Sequence, residues 1–197
     1  MTVNRQAARS ASTRSKLIRA ARTLFARRGY AGVGTEEIAR RAGVTRGALY
    51  HQFPAKEDLF LAVYEQVEEE LAARVAALLG DLGSPFAAMR AGVRAFLEAC
   101  RAQEVQRIVL IDAPSVLGWV RWREVAECHG LGLMETVIAA AIEAGEISPV
   151  AVAPLAHLLM GALDEAALLV VREPEATDTV AATLERLIDG LRSELPV

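Results

Sequence analysis

Apolar residues recur at helical spacing along most of this chain, and no stretch alternates with period two for long enough to build a sheet. β-Branched residues are sparse beside Ala and Leu, which favour helix. That pattern restricts the 197 residues to an all-α fold, with length for one or two small domains. Gly and Pro punctuate the pattern. They place helices over about 13–28, 35–42, 45–53, 56–79, 84–101, 105–113, 119–144, 154–172 and 177–193. Residues 1–11 read as a loose basic tail, with Arg5 and Arg9 a less favoured minor-groove arm. Gly80 to Pro85 reads as a turn, and Pro114 and Gly145 read as breaks.

Charge divides the chain. Met1 to Lys56 holds twelve Lys/Arg against two Asp/Glu, and Glu57 to Val197 holds ten against twenty-three. A polyanion partner for the first part and repulsion of that partner from the second are implied. The expected domains are 1–56, which meets the polyanion, and 57–197, which does not. Cys100 and Cys128 neither sit close in sequence nor show metal-ligand spacing. A reducing cytoplasm fits, with no cofactor and no metal. The apolar run from Val150 to Val171 is interrupted by Pro154, His157, Asp164 and Glu165 and reads as a buried helix, not a membrane span.

The segment TEEIARRAGVTRGALYHQFPAKEDLF, Thr35 to Phe60, is two short helical patterns joined at Gly43. That is how a helix-turn-helix offers its second helix to the major groove. Thr35 is expected to cap the first helix and Thr45 the second, with Glu36 and Glu37 favoured by the helix dipole. Ile38, Ala39, Val44, Leu49 and Phe53 are expected to close a small core with Leu17, Leu24 and Phe25. Arg46, Gly47, Tyr50, His51 and Gln52 then point outward. Arg46 can donate twice to guanine, and Gly47 permits close backbone approach. His51 and Gln52 suit base edges or phosphates, and Thr35, Thr45, Tyr50 and Lys56 suit phosphate oxygens.

These residues resemble the signature of the tetracycline-repressor (TetR) family of transcriptional regulators. The resemblance implies a homodimer of nine or ten helices per chain, with an N-terminal three-helix DNA-binding domain. It implies a C-terminal domain that binds an effector and dimerises. Carried onto matching positions, it puts Thr35, Thr45, Tyr50 and Lys56 on the DNA backbone and Arg46, Gly47 and His51 nearest the bases.

Beyond residue 60 the reading is coarser. Phe86, Met89, Phe96 and Cys100, with Trp119, Trp122, His129 and Met134, are candidates to line a pocket for a small apolar or aromatic effector. Taken singly, each reads better as core. Asp112 is expected to cap backbone near a helix end, in preference to pairing with Arg107 or with a cationic group of a ligand. The helix at 154–172 is apolar almost all round and needs cover on two sides. Leu155, Leu158, Leu159, Ala162, Ala166 and Leu169, with Leu184, Leu187 and Leu191, are the candidate dimer interface. The function expected is a ligand-responsive regulator, a repressor in preference to an activator. It would bind palindromic double-stranded DNA through residues 45–52 and release it when effector binds. The helix starting at Lys56 would be the lever. The alternative is a DNA-binding or architectural protein that senses no small molecule. No nucleophile elbow, phosphate loop or metal-ligand pair points to an enzyme.

Overall fold

The computed structural model describes residues 2–79 and 83–192, with side chains from Ala7 onward. The side chain of Arg5, the turn residue Gly80 and the end of the last helix at Ser193 lie outside that description. Among the described residues there is no strand, only an isolated bridge between Ile147 and Arg192.

The helices are α1 (Thr2–Arg28), α2 (Thr35–Ala42), α3 (Arg46–Gln52), α4 (Lys56–Leu79) and α5 (Pro85–Ala99), then a short α6 (Gln103–Val105). A π-helical stretch, Gln106–Asp112, runs on into α7 (Ala113–Glu143). The last two are α8 (Val152–Arg172) and α9 (Thr177–Asp189). The all-α expectation holds. They pack as two compact units, Met1–Val67 with Gln103–Trp122, and Glu68–Ala102 with Arg123–Val197. Packing thus groups residues 103–122 with the DNA-reading helices, although the segment Glu68–Ala102 intervenes in the chain.

Three boundaries differ from expectation. Residues 2–11 are the first turns of α1, not a loose tail. Ala7, Ala8 and Ala11 favour helix, and two contacts hold this end down. Gln52 Nε2 donates to Ser10 Oγ at 2.9 Å, and the Arg14 guanidinium lies 4.4 Å from the Phe53 ring centre. Pro114 does not break its helix: the π-helical stretch runs on through it into α7, and the change of hydrogen-bond register just before it accommodates a residue without an N–H. The break falls at Gly118 (φ 78°, ψ 160°), a conformation open to glycine, immediately before Trp119. Finally, α8 starts two residues before Pro154, which sits in its first turn.

The first unit closes around Leu17, Leu24, Phe25, Ile38, Leu49, Phe53 and Phe60, all buried. Phe25, Tyr30 and Phe60 form a cluster with ring centres 5.1–5.8 Å apart. Ile108, Val109, Leu110 and Trp122 join that core, and the Tyr64 hydroxyl donates to the Trp122 carbonyl at 2.9 Å. Val44, expected inside, is only half-buried.

In the second unit α5, α8 and α9 pack together around Phe86, Val93, Leu97, Ala156, Ala167, Val170 and Ile188. Arg90 and Arg94 of α5 both clamp the buried Glu185 of α9. Arg123 of α7 bridges to α8. Its guanidinium donates to Asp164 Oδ2 at 2.7 Å, to Glu127 Oε1 at 3.0 Å and to the His157 carbonyl at 3.3 Å. Burial raises the Asp164 carboxyl from its ordinary value to about 6, although Arg123 pulls it down. The folded chain therefore holds this proton to higher pH than the unfolded chain does. Between about pH 4 and 6 wild type should lose on the order of 2–3 kcal/mol relative to Asp164→Asn, and the difference should be flat above pH 7. Denaturant melts of both proteins from pH 4 to 8 check this. A constant difference across that range would show that the carboxyl titrates alike in both states.

Candidate nucleic-acid interface

The turn between α2 and α3 is set by local chemistry. Gly43 takes the left-handed conformation (φ 68°) and its N–H returns to the Arg40 carbonyl at 3.2 Å, while Val44 N–H reaches the Ala39 carbonyl at 3.0 Å. Thr45 caps α3 as expected, its hydroxyl accepting from Ala48 N–H at 3.2 Å. Thr35 does not cap α2. Gly34 is the cap residue, and Thr35 is the first residue of the helix. Its hydroxyl lies 3.1 Å from the Tyr50 hydroxyl, which ties the start of α2 to the outer face of α3.

Burial sorts α3 into two faces. Leu49 is fully buried, whereas Arg46, Gly47, Tyr50 and His51 are exposed together with Thr45. Hydrogen bonds from Thr35 and Arg46 lower the Tyr50 phenol from its ordinary range. Gln52 and Lys56 are more committed than the sequence suggests. Gln52 is engaged with Ser10, as above. Lys56 Nζ donates to the Tyr30 carbonyl at 2.6 Å and lies 3.9 Å from the Tyr30 ring centre. Partial burial lowers its pKa, partly offset by Asp112.

Sequence reasoning missed the anchor beneath this surface. Asp112 Oδ2 accepts the Tyr30 N–H at 2.6 Å and lies 3.4 Å from Arg107 Nε. Asp112 thus caps backbone, but of the loop after α1 and not of its own helix end. Arg22 adds a bidentate pair with Glu104, both bonds 2.8 Å. The pairing of Asp112 with Arg107 was among the sequence expectations, whereas Tyr30 with Asp112 and Arg22 with Glu104 are each eighty-two residues apart and carry no local signal.

The candidate effector residues divide between the units. Phe86, Met89 and Cys100 are buried in the second unit, and Phe96, His129 and Met134 are half-buried there. Trp119 and Trp122 belong to the first unit, with ring centres 4.7 Å apart. Trp122 is buried there, and Trp119 is 58% exposed. Of the candidate dimer residues, Leu155, Ala166 and Leu184 are buried within the chain itself. Leu158 and Leu187 are exposed, and Leu159, Ala162, Leu169 and Leu191 are half-covered.

A capped helix with an apolar inner face and a basic, aromatic outer face, carried on an all-helical scaffold, defines a helix-turn-helix DNA-binding regulator. The comparisons give the family. Residues 17–63 match the model of bacterial regulatory proteins of the tetR family, and residues 86–191 match a tetracyclin repressor-like C-terminal domain. The chain belongs to the TetR family of transcriptional regulators.

It is similar to a TetR-family transcriptional regulator from Pectobacterium atrosepticum, with 33% identity, a TM-score of 0.87, and coverage of 96% of this chain and 98% of that one. It is 26% identical over 158 residues to the transposon Tn10 TetC protein of Escherichia coli, covering 80% of each chain. It is 42% identical over 77 residues to the HTH-type transcriptional regulator CymR of Pseudomonas putida, covering 39% of this chain and 38% of that one. The family is one of DNA-binding regulators and not of enzymes. Among the described residues two helical stretches, Gln103–Glu143 and Val152–Arg172, are long and apolar enough to cross a membrane, and both fall within the part matched to the TetR C-terminal fold.

Proposed function

We propose that this protein is a homodimeric, cytoplasmic repressor that binds palindromic operator DNA through α3 and releases it when a small apolar or aromatic effector binds the C-terminal part. The observation that carries the DNA-reading half is the sorting of α3, with Leu49 inside and Arg46, Gly47, Tyr50 and His51 outside. Arg46 reads guanine, Gly47 admits close backbone approach, and His51 reads an adjacent base edge. Thr35, Thr45 and Tyr50 hold phosphates, with Gln52 and Lys56 supporting them. The effector reading rests on the family and on the apolar character of Phe86, Met89, Phe96 and Cys100, with His129 and Met134 as polar and adaptable positions. In the first unit, exposed Trp119 stays a separate candidate contact, whereas Trp122 is core. Exposed Leu158 and Leu187 support a twofold partner over α8 and α9.

The mechanism is a population shift. DNA selects the dimer state with recognition helices about one helical turn, roughly 34 Å, apart. An effector that prefers another spacing lowers DNA affinity by its differential affinity for the two states. The helix α4, which contributes residues to both units, would carry that change.

Selection of bound sites from fragmented genomic DNA, followed by titration of the best site, tests the reading. A palindrome bound at least about a thousandfold more tightly than random duplex is expected. Arg46→Ala should lose roughly tenfold or more of its discrimination at one base pair per half-site and little elsewhere. Equal loss on every sequence would remove Arg46 from base reading, and salt-sensitive binding with no preferred site would sink the operator-binding regulator.

A further inference from the structure

We propose that Glu36 is a specificity-determining residue of the DNA-reading surface, acting by positioning the guanidinium of Arg46. The inference rests on the assignment of α3 as the reading helix. Arg46 is the first residue of α3, and its Nη1 donates to Oε1 of Glu36, in the first turn of α2, at 2.8 Å. The guanidinium carbon lies 5.5 Å from the centre of the Tyr50 ring, and the Tyr50 hydroxyl is 3.1 Å from that of Thr35. Two neighbouring residues of α2, Thr35 and Glu36, are therefore tied to the two outermost side chains of α3. A free arginine at a helix start samples many rotamers. This one is held at one corner by a carboxylate and on one side by a ring.

A guanidinium carries five N–H donors in a rigid fork. Glu36 takes one of them through Nη1 and the Tyr50 hydroxyl accepts another; a bidentate contact to guanine O6 and N7 needs two, which the fork supplies with Glu36 still bound once Tyr50 turns to a phosphate. Arg46 can therefore read a base and keep Glu36 at once. A nonspecific complex is different. There the attraction is to phosphate oxygens, and an acid on the contact surface both offsets the charge of Arg46 and repels the backbone. To reach a phosphate, Arg46 must swing away and leave Glu36 unpaired beside a polyanion. Glu36 thus weakens binding to wrong sequences more than binding to the right one. The pair is exposed, and exposed ion pairs are weak enough for DNA to compete with, so its effect falls on the choice of site and not on folding.

The test uses the full chain as wild type, Glu36→Gln, Arg46→Ala and the double variant. Each is titrated against the best selected site, against versions of that site with one base pair changed at a time, and against random duplex. Glu36→Gln should bind random duplex about three- to tenfold more tightly, with a steeper salt dependence by up to about one counterion. Its discrimination should fall about tenfold at the base pair that Arg46→Ala also ceases to read, and stay within about twofold elsewhere. In the Arg46→Ala background Glu36→Gln should change no discrimination, because nothing is left to position. Unchanged discrimination at that base pair in Glu36→Gln would overturn the proposal, as would an equal loss at every base pair. A wild-type protein with a preferred site that survives Glu36→Gln fails this inference alone. A wild-type protein with no preferred site overturns the reading of α3 and this inference with it.

Discussion

Asp112→Ala should destabilise the first unit by about 2–4 kcal/mol, the largest loss expected from any single polar side chain there. The Tyr30 peptide follows Gly29, which ends α1 in the left-handed region (φ 72°). Both ends of that peptide region are held by side chains: Asp112 takes the N–H at 2.6 Å, and Lys56 gives to the carbonyl at 2.6 Å. Asp112 is buried, so water does not replace it freely. Its removal leaves a covered amide without an acceptor and Arg107 Nε, which makes no hydrogen bond of its own, without its counter-charge. The lost acceptor costs desolvation without return, and Arg107, 40% exposed, adds less because water reaches its guanidinium. Asp112→Asn keeps an acceptor oxygen and loses only the charge, so it should recover about half of the loss. Thermal and denaturant melts of the three proteins check the order. Equal stability of Asp112→Ala and wild type would mean that the Tyr30 loop is held by its aromatic packing against Phe25 and Phe60 alone.

The same cluster shows where sequence reading stopped. The helix-turn-helix was legible because its signals are local. The glycine at 43, the Thr45 cap and the alternation of Leu49 with Arg46, Tyr50 and His51 act within a few residues of one another. The boundary at Gly118 was half legible, since the helix was expected to start at Trp119, one residue later. Proline is the stronger breaker in a helix interior, and the π-helical stretch that accommodates Pro114 has no local sequence signal. The grouping of residues 103–122 with α1 and α4 was not legible at all. Arg22 with Glu104 and Tyr30 with Asp112 are eighty-two residues apart, and no periodicity relates them. The same holds for Trp119 and Trp122. Their spacing places them on one helix face, but which unit that face packs against is a tertiary property. Residues 2–11 were misread for a simpler reason. A polar, arginine-rich stretch has no apolar stripe, and the contacts of Ser10 and Arg14 that hold it come from the far end of α3.

The other large effect expected lies at the far end of the chain. Leu158 is 72% and Leu187 62% exposed, on two helices that pack against each other. Leu155 and Leu184, one turn earlier on the same sides of α8 and α9, are buried within the chain, so each apolar face runs on past its own core into exposure. Isolated exposed leucines are ordinary, but this pair sits on neighbouring helices with half-covered Leu159, Leu169 and Leu191 around it. On the proposed dimer, Leu158→Glu with Leu187→Glu puts two carboxylates from each chain against their symmetry copies. Like charges meeting across a twofold should convert the protein to a monomer at micromolar concentration. The fold should survive, because neither side chain contributes to the core. Binding to a palindromic site should fall by about a hundredfold or more, since the second half-site is no longer reached intramolecularly. Binding to a single half-site should be unchanged. Sedimentation equilibrium gives the mass, and titrations on whole and half-sites give the linkage. A variant that stays dimeric places the interface elsewhere. A monomer that still binds the palindrome at full strength would mean that the DNA, and not α8 with α9, brings the two reading heads together.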